Sequence, residues 1–187
     1  MSLFNDTFYN DNEPKSSKNG LGEQTMKITI DPVPIEQKSV LRNLLELYKY
    51  DFTEFDPEDV NEHGLYGYTY LDHYWTEEGR HVFFVRVDGK LAGFAMVRQL
   101  GQTEEGIAIY AMAEYFIMRK YRRSGLGREF AFHLFDRFRG VWRVKQIEEN
   151  MPARRFWSSI ISEYTEGRFE ELREPEWDGP IHRFRSC

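Results

Sequence analysis

Cysteine is almost absent from this chain, because Cys187 is the only one among 187 residues. A single thiol excludes an intramolecular disulfide, and it supplies neither a zinc cluster nor a cysteine nucleophile with its partners. The simplest expectation for such a chain is a cytoplasmic location. The five histidines have no metal-ligand spacing, so the sequence predicts no metal site.

The chain also lacks long apolar runs and an excess of positive charge. No stretch approaches the roughly 18 apolar residues of a membrane span, and the N-terminus has no apolar signal-peptide core. The formal net charge is −6. Nucleic acids and anionic membranes both require a broad cationic face, so the sequence predicts neither as a partner.

The composition is that of an ordinary folded domain. Hydrophobic residues make up 41% of the chain and aromatic residues 16%, which is enough for one core. Residues 1–25 are instead rich in Asn, Ser, Gly and charge, and we interpret them as a polar tail that can include residues introduced by cloning. A single domain is therefore expected over residues 26–187.

The hydrophobic periodicity predicts the element order β-α-(α)-β-β-β-α-β-α-β-β. Strands are predicted at 26–33, 81–87, 90–100, 108–118, 141–148, 168–172 and 181–187, and helices at 35–50, within 51–79, at 125–140 and at 152–164. Asp88-Gly89 is typical of a tight hairpin turn. The expected fold class is α/β (α+β), with a mixed, mainly antiparallel sheet flanked by helices. Exposed edge strands near the C-terminus make a homodimer an open expectation.

A basic, glycine-containing stretch, RKYRRSGLGRE at 119–129, joins a predicted strand to a predicted helix. Glycines let a ligand approach the backbone, and unpaired amides at a helix N-terminus attract an anion. A diphosphate or several phosphates would match this charge best. The residues predicted to bind it are Arg122, Arg123, Ser124, Gly125, Leu126, Gly127 and Arg128.

Other interpretations of the stretch are weaker. A Walker A loop ends in Gly-Lys-Ser/Thr, whereas Gly127 is followed by Arg128-Glu129. A dinucleotide fingerprint needs a third glycine or alanine, and Phe130 stands there. The alternative to a ligand site is that this stretch is simply the start of a helix with a run of exposed charged side chains.

Two segments resemble motifs of the GNAT superfamily of N-acyltransferases. The segment YFIMRKYRRSGLGREFAFHLFD, at 115–136, resembles the acyl-CoA-binding motif Gln/Arg-x-x-Gly-x-Gly/Ala, with Arg122, Gly125 and Gly127 at its defining positions. The segment NMPARRFW, at 150–157, resembles Asn-x-x-Ala-x-x-Phe-Tyr, which follows the next strand. The resemblance covers about 80–164, and outside that range only the element order supports it.

The resemblance implies an N-acetyltransferase that moves an acetyl group from acetyl-CoA, its co-substrate, to a primary amine of a small molecule in a ternary complex. It implies that the amides of 123–128 bind the pyrophosphate and that pantetheine pairs with Phe116, Ile117 and Met118. By analogy, an amide near Ile117 or Met118 stabilises the oxyanion. Asn150 and Phe156 would contact the cofactor, with a helix cap and core packing as their alternatives.

Glu114 is the predicted general base, because it lies in an apolar strand three residues before Ile117. Its alternatives are pairing with an arginine or facing solvent. Trp157 stands where many relatives have the tyrosine proposed to protonate the leaving thiolate, and an indole is too weak an acid. Tyr164, two turns further on, is the substitute acid, with core packing as its alternative.

The resemblance places the acceptor site in the aromatic and acidic stretch 51–79. Carboxylates there would attract a cationic amine, and the ones singled out are Asp51, Glu54, Asp56 and Asp72. The alternative is a solvated acidic loop with its aromatic rings turned inward. Acetylation of a protein amino group and a non-catalytic acyl-CoA sensor are the competing functions.

Overall fold

The computed structural model describes residues 26–186, so the predicted tail 1–25 and Cys187 lie outside the described residues. The strands are β1 Ile28–Pro32, β2 Arg80–Val87, β3 Lys90–Gln102, β4 Ala108–Ile117, β5 Val141–Lys145, β6 Phe169–Glu174 and β7 Trp177–Arg185. The helices are α1 Lys38–Phe52, α2 His73–Thr76, α3 Leu126–Arg137 and α4 Met151–Thr165, with short 3-10 turns at Ile35–Gln37 and Arg119–Tyr121. The predicted element order is confirmed.

The strands form one sheet in the order β1-β2-β3-β4-β5-β7-β6. Across residues 26–186, β4 and β5 run parallel, and every other neighbouring pair is antiparallel. The predicted mixed, mainly antiparallel fold class is therefore confirmed. None of the helices at 26–186 combines the length and the apolar character that a bilayer crossing requires.

Helices cover both faces of the sheet. One core cluster lies beneath α3 and α4 and includes Phe130, Phe135, Trp142, Trp157 and Ile161. The second lies beneath α1 and α2 and includes Leu41, Leu45, Tyr74, Phe94 and Phe116. Because alternate residues of a strand face opposite sides, β4 contributes to both cores and separates the two faces of the molecule.

Strands β4 and β5 separate after a short paired stretch. Their register covers only Ile109 to Ala111 on β4 and Val141 to Arg143 on β5. From Met112 onward, β4 continues to Ile117 with β3 on one side and no strand of the described residues on the other. This leaves a wedge-shaped gap beside the C-terminal half of β4.

Local turn chemistry explains the hairpin between β2 and β3. Asp88 and Gly89 have φ values of 51° and 75°, which suit the type I′ turn predicted from the Asp-Gly pair. The C-terminal hairpin is tighter than expected, since Glu174 pairs with Trp177. The two strands therefore extend further toward the turn than the predicted bounds 168–172 and 181–187.

The helix predicted to run to Gly140 ends before it. Helix α3 ends at Arg137, with Phe138 as its C-cap, so Gly140 does not terminate it. A Cβ atom at Gly140 would lie 2.3 Å from the carbonyl oxygen of Ala108. The glycine is needed because the backbone there passes close to the start of β4.

Candidate functional site

The loop between β4 and α3 has a backbone that only a few residue types adopt. Arg123 has φ of 63°, and Gly125, the N-cap of α3, has φ of 85°. Left-handed residues alternating with ordinary ones turn successive amides toward one side, which forms a concave anion-binding arrangement. The start of α3 adds the positive end of its dipole at the same place.

The amides of this loop are available to a ligand. Within residues 26–186, no hydrogen bond is donated by the amides of 123–128, and the first helical bond runs from Glu129 to the Gly125 carbonyl at 3.1 Å. A Cβ atom at Gly125 would meet nothing within 4 Å. Six amide donors thus have no partner among the described residues, which fits the pyrophosphate that the sequence predicts here.

The arginines around the loop do not all face that space. Arg122 donates from Nε to the Ile117 carbonyl at 2.7 Å and from Nη2 to Asp51. Arg119 donates from Nε to the other Asp51 oxygen at 2.7 Å, and Arg128 pairs with Glu163 at 2.8 Å. Arg122 therefore ties the end of β4 to the end of α1, while Arg123 is exposed.

Asp51 is the carboxylate that links α1 to the loop after β4. Burial opposes its ionisation, but hydrogen bonds from Arg122 and Arg119 outweigh that effect and hold its pKa below the ordinary value. Asp51 is therefore occupied and is not available to a cationic acceptor. Asp72 is likewise paired, with Lys38, so two of the four predicted acceptor carboxylates have other partners.

Replacing Asp51 by Asn should weaken CoA binding about two- to fivefold, because Arg122 and the loop lose one anchor of modest strength. Calorimetric titration with CoA measures the change. Asp59→Asn is the matched control, since Asp59 is exposed and forms no ion pair within residues 26–186. Equal affinities for the Asp51 and Asp59 variants would contradict a role for this anchor.

The gap beside β4 contains one candidate oxyanion donor. The Met118 amide donates to the Ala92 carbonyl of β3 at 2.9 Å, so it is not available. Because successive residues of a strand direct their amides to opposite sides, the Ile117 amide points away from β3 and into the gap. Of the two predicted donors, the geometry leaves Ile117.

Helix α4 closes the gap at its far side. A Cβ atom at Gly127 would lie 3.3 Å from the Phe156 ring, so this glycine lets α4 approach the first turn of α3. The Asn150 side chain accepts a hydrogen bond from the Ala153 amide at 3.0 Å, which confirms the capping alternative for Asn150. Its side-chain nitrogen donates no hydrogen bond within residues 26–186.

Tyr115 is a site-supporting residue that sequence reasoning missed. Its buried hydroxyl donates to the Gly127 carbonyl, and its ring packs against Phe130 at 5.4 Å and Trp157 at 4.9 Å between centroids. It thereby ties β4 to the first turn of α3. The available signal was strand alternation, which places Tyr115 on the face opposite Glu114.

Glu114 lies on the face of β4 that α1 covers. A register shift between β3 and β4 leaves Ala113 unpaired beside it. The Tyr68 hydroxyl donates to Glu114 Oε1 at 2.9 Å, and the Tyr48 hydroxyl interacts with the same carboxylate. Burial raises the pKa of Glu114, and the tyrosine hydrogen bonds offset only part of that rise. Glu114 has no arginine partner within residues 26–186.

Tyr164 lies at the opposite end of α3 from the glycine loop. Its hydroxyl donates to Asp136 Oδ1 at 2.8 Å, and its ring contacts Phe132 and Phe135 at 5.0 and 5.1 Å between centroids. Asp136 is ten residues along α3 from Leu126, which is about 15 Å at the helical rise. The core-packing alternative for Tyr164 therefore agrees with its surroundings.

A family model described as the acetyltransferase (GNAT) family matches residues 41–160. The chain belongs to this family. The resemblance seen in segments 115–136 and 150–157 is thereby confirmed, and the protein is an acyltransferase. Comparison by sequence with curated proteins gives no match.

Solved structures share the fold of this acetyltransferase at low sequence identity. A GNAT-family acetyltransferase from Staphylococcus aureus Mu50 is 14% identical, with a TM-score of 0.59, and the match covers 86% of this chain and 100% of that one. An acetyltransferase from Thermus thermophilus is 17% identical, with a TM-score of 0.60 and coverage of 84% and 96%. The PaiA N-acetyltransferase from Thermoplasma acidophilum, in complex with coenzyme A, is 11% identical, with a TM-score of 0.59 and coverage of 86% and 99%.

Proposed function

We propose that this acetyltransferase moves an acetyl group from acetyl-CoA to a primary amine of a small molecule by direct attack in a ternary complex. The observation that carries the proposal is the pair Ile117 and Glu114 on β4. The Ile117 amide points into the gap, and three residues away the Glu114 carboxylate is half-buried among tyrosines on the acceptor side. One strand thus presents a candidate oxyanion donor and a candidate base.

The co-substrate would be bound mainly by backbone. Amides of residues 123–128 would hold the pyrophosphate, with Arg123 adding charge from the surface. The edge of β4 at Phe116 and Ile117 would pair with the pantetheine arm, and Asn150 and Phe156 would border it. The CoA complex of the Thermoplasma neighbour supports this use of the fold.

Glu114 would act on the attacking amine. As the amine nitrogen bonds to the thioester carbonyl carbon, Glu114 accepts one amine proton and the Ile117 amide stabilises the carbonyl oxygen. The carbon–sulfur bond then breaks, and the thiolate takes up a proton from water. A thiol pKa of about 8.5 makes this leaving group tolerable without a dedicated acid, which agrees with the remote position of Tyr164.

The acceptor is expected to be cationic outside its reacting nitrogen. Glu54 and Asp56 are exposed and form no ion pair within residues 26–186. Tyr50 and Tyr70 are exposed aromatics in the same region and can bind a cation by their ring faces. Acidic and aromatic groups together favour an amine that carries a further positive charge.

Acetylation of a protein amino group is the second candidate. Val60 and Leu65 are exposed apolar residues on the segment between α1 and α2, and an extended polypeptide could pack on them. These exposed residues favour a polypeptide acceptor, because a small polar amine lacks apolar side chains that could pack on them.

The proposal is tested by measuring release of the CoA thiol from acetyl-CoA in the presence of each amine in a panel. We expect turnover with at least one of an alkyl diamine, a polyamine and an aminosugar with several amino groups, and less with a peptide that has a free N-terminal alanine. Turnover confined to the peptide would favour the second candidate. Tight CoA binding without thiol release for any amine would favour a sensor module, and absence of CoA binding would overturn all three.

A further inference from the structure

We propose that Tyr68 is a positioning residue for Glu114, and that Glu46 on α1 holds Tyr68 in place. The inference rests on the proposed function insofar as Glu114 acts as the base, but the contacts stand independently of it. Tyr68 reaches Glu114 from the segment between α1 and α2, 46 residues earlier in the chain. The segment between α1 and α2 would thus influence the protonation state of the Glu114 carboxylate on β4.

Glu46 fixes the backbone that leads into Tyr68. Its Oε2 accepts the Tyr66 amide at 2.7 Å, and its Oε1 accepts the Gly67 amide at 3.0 Å. Gly67 has φ of 72°, a left-handed conformation that suits glycine. The two oxygens of the Glu46 carboxylate therefore bind the backbone amides of the two residues that precede Tyr68.

Helix α1 also carries the second tyrosine at Glu114. The Tyr48 ring packs edge-on against Phe94 at 5.9 Å and Phe116 at 5.8 Å between centroids, which fixes its position. Glu46 and Tyr48 lie in the same helix, so α1 supports both hydroxyl groups that face Glu114. A carboxylate offers about four acceptor positions, so two donors leave room for a proton from an amine.

The groups of residues 26–186 that interact with Glu114 do so by hydrogen bonds or through charge. They are Tyr48 and Lys49 from α1, Tyr68 from the intervening segment and Tyr74 from α2. Burial and the charge of Glu114 raise the pKa of Tyr48 and Tyr68, and raise that of Tyr74 to about 12. The tyrosines therefore remain protonated donors over the working pH range, and Lys49 adds a favourable charge at longer range.

The hydrogen bond from Tyr68 should lower the pKa of Glu114. A donor stabilises the ionised carboxylate and lowers its pKa. In Tyr68→Phe the ring remains and the donor is lost, so the pKa of Glu114 should rise by about one unit. The acidic limb of the kcat profile should move to higher pH by the same amount, with little change in the KM for acetyl-CoA.

Carbon-13 NMR titration of the glutamate carboxyl groups in the full chain measures this pKa without any ligand, with the signal assigned by its absence in Glu114→Gln. Tyr70→Phe is the control, since Tyr70 packs against Tyr68 at 6.4 Å but has no hydrogen bond to Glu114 within residues 26–186. Glu46→Gln keeps the shape but has one acceptor oxygen fewer, and it should shift the same signal in the same direction by less.

An unchanged Glu114 pKa in Tyr68→Phe would overturn the inference, and so would an equal shift in Tyr70→Phe. A shifted signal supports it. If the signal shifts while Glu114→Gln retains the acidic limb of kcat, the positioning role stands and the proposed base is wrong. The two failures are therefore distinguishable.

Discussion

Gly125→Val should raise the dissociation constant for CoA by about 100-fold or more and leave the fold intact. At φ of 85° a β-branched residue is strained, so the backbone must move out of the left-handed region. That movement turns the amides of 123–128 away from one another. Loss of two hydrogen bonds to a charged group, at about 1.5–3 kcal/mol each, corresponds to this fold-change.

Steric contact inside the protein does not complicate this variant. A Cβ atom at Gly125 would meet nothing within 4 Å, so the core beneath the loop is undisturbed. The added side chain would instead occupy the open space that we assign to the phosphates. Calorimetric titration with CoA gives the affinity, and circular dichroism and Tm report the fold.

Gly106→Val is a matched control for backbone strain. Gly106 has φ of 79° and open space around its Cβ position, but it lies in the turn between β3 and β4, at the other end of β4 from the loop. Both variants should lose similar stability, and only Gly125→Val should lose CoA. Wild-type affinity in Gly125→Val would remove the loop from the cofactor site.

Glu114→Gln should lower kcat by about 10²- to 10⁴-fold, the usual contribution of a general base, with CoA affinity within about twofold of wild type. Burial raises the pKa of Glu114, and a base must be deprotonated to act. Wild-type kcat should therefore increase with pH through that raised pKa. In Glu114→Gln this limb should disappear.

Stability provides a second readout for the same variant. A carboxyl group whose pKa is raised in the folded state favours folding at low pH, and this contribution is lost as pH rises through the folded pKa. Glutamine removes the buried charge while keeping an oxygen that accepts from Tyr68. We therefore expect Tm at pH 8 to be no lower than that of wild type.

Glu78→Gln serves as the control for the charge change, because Glu78 is exposed and has no ion pair within residues 26–186. Its kcat profile should match that of wild type. A Glu114→Gln enzyme with an unaltered profile would exclude Glu114 from proton transfer, and a water or another group would then have to be the base.

The sequence by itself determined the features that depend on neighbours along the chain. The Asp88-Gly89 turn, the cap at Asn150 and the glycine loop at 122–127 are local, because backbone conformation and capping involve residues a few positions apart. The periodicity of β2, β3, α3 and α4 is local in the same sense. These patterns were sufficient to predict the fold class and the anion-binding loop.

Only the tertiary structure decided which polar side chains meet. Glu114 and Tyr68 are 46 residues apart, and Asp51 and Arg122 are 71 apart. The resemblance assigned Asp51 to the acceptor site, and helical spacing put Tyr164 forward as the acid. The reason is physical: a side chain's partner depends on which elements pack together, and that packing is set by burial over the whole chain rather than by spacing within a segment.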